Sequence, residues 1–71
     1  MANSSGESLR RGDHVVANED LIGVPEGSAG RVELVNGFRW KRYWVRFENG
    51  VVVGSIDRAL LTRVNKQGVP A

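Results

Sequence analysis

The apolar positions of this chain fall in short runs cut by glycines and turn-forming polar residues, and almost nothing repeats with the 3.6-residue period of a helix. The first run covers residues 14–17 and follows Gly12-Asp13, a turn-forming pair. Residues 18–28 hold Gly23, Pro25 and Gly27. Proline cannot donate to a ladder and glycine permits positive φ, so a long loop is predicted there, with Leu21, Ile22 and Val24 folded back over the core. Residues 29–35 read as a second strand, with Val32 and Leu34 on one face and Arg31 and Glu33 on the other. Asn36-Gly37 predicts a hairpin, because both residues tolerate positive φ. Residues 39–47 form the longest strand, Asn49-Gly50 a second hairpin, and residues 51–54 a fourth strand. Asp57 is placed to cap a 3₁₀ turn at residues 58–60, and residues 61–64 make a last strand. Residues 1–8 are expected to be a disordered leader and residues 65–71 a flexible tail.

Strand, long loop, strand, hairpin, strand, hairpin, strand, 3₁₀ turn, strand is the order found in a five-stranded SH3-like barrel, and residues 9–64 resemble one. Arg11-Gly12-Asp13-His14-Val15-Val16, then Gly27-Ser28-Ala29-Gly30-Arg31-Val32, is similar to the opening of the KOW module of ribosomal and transcription-elongation proteins. It is equally similar to the small barrels of the photosystem I accessory subunit and of the nitrile hydratase β-subunit. The resemblance implies an all-β fold and leaves function open, because this barrel carries many unrelated activities. Signalling SH3 domains bind proline-rich peptides through a tyrosine-rich motif early in the long loop. No such motif occurs in residues 18–28, so that reading is rejected.

A chain of 71 residues is one domain with a thin core, and without cysteine it has neither a disulfide nor a thiolate metal ligand. No apolar run approaches the roughly 18 residues of a membrane span, and the early residues lack the apolar stretch of a secretory signal. A cytoplasmic location is expected. Ten basic residues against eight acidic ones give a net charge of +2, so distribution matters more than the sum. Arg39, Lys41, Arg42 and Arg46 form a basic block, while Glu19, Asp20 and Glu26 gather in the long loop. One basic side and one acidic rim are predicted.

Split by parity, the long strand puts Tyr43, Val45 and Phe47 on the core face and Trp40, Arg42, Trp44 and Arg46 outside. A four-residue first hairpin loop would set Glu33 opposite Arg42; a two-residue loop would set Arg31 there, a like-charge pair. The candidate contact residues are Arg39, Trp40, Lys41, Arg42, Trp44 and Arg46. Tryptophan and arginine are enriched at binding hot spots, and aromatic rings among cations also stack nucleic-acid bases. Two structural readings stand beside these. Each arginine could lie over a tryptophan in a cation–π stack, or one tryptophan could close the end of the barrel.

No catalytic constellation stands out. His14 is the sole histidine, and Asp13 beside it reads as a turn former. Glu19, Asp20 and Glu26 read as a solvated loop, Ser55 has no base in reach, and Gly27 and Gly30 precede a strand rather than a phosphate-binding helix. The expectation is a non-enzymatic module without cofactor that binds another protein or itself. RNA or single-stranded DNA, held as the KOW resemblance implies, is the alternative. No membrane or small-molecule partner is implied.

Overall fold

The computed structural model describes residues 8–69, so the leader expected at residues 1–8 lies outside it except for Ser8, as does the end of the expected tail. Five strands form one antiparallel sheet: β1 (His14–Ala17), β2 (Ala29–Asn36), β3 (Arg42–Phe47), β4 (Val52–Asp57) and β5 (Leu61–Val64), in the order β4-β3-β2-β1-β5. A 3₁₀ turn, Arg58–Leu60, joins β4 to β5. The domain is all-β, and no helix among the described residues is long and apolar enough to cross a membrane.

Two-residue alternation sorts the side chains. On β3, Tyr43, Val45 and Phe47 are buried while Arg42, Trp44 and Arg46 are not, as their parity requires. They join Val15 and Ala17 of β1, Val32 of β2, Ile56 of β4 and Leu61 of β5 in a single apolar cluster. Ile56 and Leu61 belong to the two edge strands, so one face of the sheet wraps a common interior. Each fully buried Val, Leu, Ile or Phe side chain contributes about 1.5–3 kcal/mol through removal of apolar surface from water. A buried phenol must also keep its hydroxyl satisfied, and Tyr43 Oη accepts a hydrogen bond from the Leu9 amide at 3.1 Å. That bond pins the segment before β1, with Leu9 buried, against β3.

Two bulges depart from the strict alternation. On β2, Val32 pairs with Val45 but Leu34 pairs with Trp44, leaving Glu33 as one extra residue. An extra residue reverses the facing of everything beyond it. Leu34 therefore points outward, 49% exposed, and Val35 turns to the core in its place, contrary to the shared face predicted for Val32 and Leu34. On β4, Gly54 and Ser55 together face Trp44, with Ser55 at φ 56°.

The first hairpin is also longer than expected. Asn36 pairs with Arg42, so the loop is the five residues 37–41 and β3 starts at Arg42, not at residue 39. Asn36 Oδ1 accepts the Gly37 amide at 2.8 Å. Gly37 sits at φ 99°, where a β-carbon would lie 2.4 Å from the Trp40 carbonyl oxygen, so only glycine fits. After β3 the chain turns at residues 48–50, with Gly50 N–H bonded to the Phe47 carbonyl at 2.8 Å, and β4 runs on to Asp57 rather than ending at residue 54.

In the long loop, Leu21 and Val24 exchange backbone bonds of 2.7 and 2.9 Å around a tight turn. Val24 is buried and Leu21 packs on the core, as expected, but Ile22 at the tip is 93% exposed. The turn itself holds Ile22 away from the interior. Asp57 precedes the 3₁₀ turn without capping it, because its carboxylate is engaged by Arg42 instead. Beyond β5, Asn65 Oδ1 accepts the amides of Gln67 and Val69, which folds residues 65–69 into a turn.

Candidate functional site

The five-residue loop between β2 and β3 carries the most conspicuous surface of the molecule. Phe38 is 92% exposed and Trp40 75% exposed, so two aromatic side chains forgo burial worth about 1.5–3 kcal/mol apiece for a residue of phenylalanine size. They alternate with Arg39 and Lys41, neither of which enters an ion pair among the described residues. The loop faces the 3₁₀ turn across a shallow depression of about 270 Å³. Arg39, Trp40, Lys41, Arg42 and Arg58 line it, with Asp57 as its acidic member. Four of the six candidate residues are thus brought together here.

Trp44 and Arg46 are placed elsewhere. The Trp44 indole lies against Gly54 of the neighbouring strand, where a β-carbon at residue 54 would come within 2.2 Å of Nε1. Trp44 is half-buried by this contact and does structural work. Arg46 donates from Nε to Glu33 at 2.6 Å, with a second bond from Nη2 at 3.5 Å. First the hydrogen bond and then the Coulombic attraction of Glu33 raise the Arg46 pKa above its ordinary value, burial opposing them slightly. A raised value means the pair contributes below the unfolded pKa and is lost only as pH climbs through the folded one, beyond ordinary buffers. Arg46 also borders a separate hollow of about 570 Å³ with Arg11, Arg31 and Glu33.

The continuous tryptophan–arginine row expected on residues 40–46 is therefore divided. Trp40 belongs to the loop because the hairpin is five residues long, and only Arg42, Trp44 and Arg46 share the strand. The two strand arginines lie against carboxylates rather than stacking as the cation–π reading would have them: Arg42 Nη1 meets Asp57 at 2.8 Å, and Glu33 meets Arg46, not Arg42. The five-residue loop pairs Arg42 with Asn36, and so removes the register that would have set Glu33 opposite Arg42.

Sequence reasoning missed two residues of the site, Phe38 and Arg58. The alternation of aromatic and cationic residues runs from Phe38 to Lys41, immediately after an Asn-Gly turn signal, and marks the loop better than the strand. Arg58 carries no such signal, since only the fold of β4 back beside Arg42 brings it near. The arrangement suits contact with anionic or aromatic groups and has the form of a binding surface. Among the described residues no three His, Cys, Asp or Glu side chains gather as a metal ion would need. No protein-family model, curated protein or solved structure matches this chain.

Proposed function

We propose that the chain is a non-enzymatic SH3-like barrel of the cytoplasm that docks on a partner protein through the loop 37–41. The closure of the sheet into a barrel is supported by Ile56 and Leu61, which come from its two edge strands into one core. The absence of cysteine suits a reducing compartment. The observation that carries the docking reading is the pair Phe38 and Trp40, held out from the body on a loop with Arg39 and Lys41 between and after them. Aromatic anchors of this kind dominate the energetics of protein interfaces.

A second reading, RNA or single-stranded DNA, draws on the same alternation. Rings could stack bases, at about 1–3 kcal/mol per base, while Arg39 and Lys41 meet phosphates. Affinity capture with the wild-type chain and with Phe38→Ser/Trp40→Ser separates the readings when paired with oligonucleotide titration. A protein held by the wild type and released by the variant supports docking. Oligonucleotide binding that weakens about a hundred-fold or more between about 50 and 200 mM salt supports the second reading. If neither is seen, the loop is not a binding surface.

A further inference from the structure

The loop 37–41 has a counterpart at the other end of the same molecule. Loop and 3₁₀ turn lie beyond Arg42 at one end of β3, while the hairpin 48–50 lies beyond Phe47 at the other, about 17 Å away along a six-residue strand. Asn49 Nδ2 on that hairpin donates to the Gly23 carbonyl at 2.9 Å, so the tip of the long loop, with the 93%-exposed Ile22, belongs to this second end. Asp20 Oδ1 accepts the Glu26 amide at 2.8 Å, which keeps those two residues beside the tip, and Glu48 stands on the hairpin itself.

Ion pairing within the chain sharpens the polarity. Asp13, Glu33 and Asp57 are each neutralised by an arginine at 3.8, 2.6 and 2.8 Å. Asp20, Glu26 and Glu48 enter no ion pair among the described residues, and neither do Arg39 and Lys41. Uncompensated acids therefore sit around an exposed isoleucine at one end, and uncompensated bases around an exposed phenylalanine and tryptophan at the other. Each end offers the charge that the other lacks, and an exposed apolar residue for the other's to meet.

We infer that the partner of the loop 37–41 is the acidic Ile22 turn of a second copy of this chain, in a head-to-tail contact. This rests on the reading of the loop as a protein-docking surface and names its occupant. Two different patches meeting head to tail do not close on themselves as a two-fold pair does, so association proceeds to rings or open chains. The patches are small, so the contact is weak, with a dissociation constant on the order of 10⁻⁴ M.

Sedimentation velocity of the full chain from micromolar to millimolar concentration tests this, with two variants whose changes fall on exposed residues. Phe38→Ser/Trp40→Ser removes the basic end's anchors, and Ile22→Ser/Glu26→Lys removes those of the acidic end. The wild type is expected to form species beyond the dimer, with association at least about ten-fold weaker at 500 mM than at 50 mM salt. Each variant alone stays monomeric, with circular dichroism showing that it is folded. An equimolar mixture of the two gives a heterodimer and nothing larger, because one intact patch survives on each. A two-fold wild-type dimer, or a mixture that stays monomeric while the wild type associates, overturns the head-to-tail contact. A monomeric wild type overturns self-association altogether, and if it still captures another protein through Trp40, the docking reading stands without it.

Discussion

Trp40 and Trp44 stand four positions apart in the sequence and in unlike surroundings. Trp44 is on β3, where the Gly54-Ser55 bulge of the adjacent strand presents a residue with no side chain, and the indole covers that bare backbone. Trp40 is on the hairpin loop, 75% exposed, where Gly37 at positive φ makes the turn and little covers the ring. The same residue type thus serves the fold in one place and stands in water in the other. What separates them is the presence of a facing glycine, not hydrophobicity.

Changes at the sheet should show this first and most strongly. Gly30 on β2 has no room: a β-carbon would approach Val45 Cγ1 at 2.7 Å and Phe47 Cδ1 at 2.8 Å, with the Arg46 carbonyl oxygen at 3.0 Å. Gly30→Val is expected to destabilise by about 3 kcal/mol or more, a large share of a small domain's stability, as read by urea denaturation. Trp44→Ala strips the cover from Gly54 and should cost about 2 kcal/mol, less than a fully buried tryptophan because the ring is partly exposed. Trp40→Ala should change stability by no more than about 0.5 kcal/mol. Equal losses from the two tryptophans would erase the distinction between strand and loop.

Tyr43→Phe sharpens the comparison from the inside. It keeps the buried ring and removes the hydroxyl that accepts the Leu9 amide, so a loss of about 1–2 kcal/mol is expected in the same measurement. An effect as small as that of Trp40→Ala belongs to Asp57→Asn, which removes the ion pair with Arg42 between exposed side chains. Thermal unfolding should register about 0.5 kcal/mol or less.

The elements that the sequence made legible are those where local pattern and tertiary environment agree. β1, the 3₁₀ turn and β5 fall at residues 14–17, 58–60 and 61–64 as expected, because turn residues bound each of them. The facing of Tyr43, Val45 and Phe47 was legible because alternation on β3 is uninterrupted. On β2 it was not. The Glu33 bulge depends on how β2 meets β3, which no residue of β2 announces by itself, and the inverted facing of Leu34 and Val35 follows from it. Loop length had the same fate. Asn36-Gly37 marked the turn, but the five-residue closure that removes Trp40 from the strand is decided by pairing of Asn36 with Arg42. For the site, four of the six candidates converge because they are neighbours in sequence; Arg58 joins them only through the path of β4.

Iodide quenching of tryptophan fluorescence tests the division between loop and sheet most directly, using Trp44→Phe to observe Trp40 alone and Trp40→Phe to observe Trp44 alone. Trp40, open to water and beside Arg39 and Lys41, which attract the anionic quencher, should be quenched several-fold more steeply than Trp44 on its glycine. Equal quenching of the two, or a steeper response from Trp44, would contradict the account.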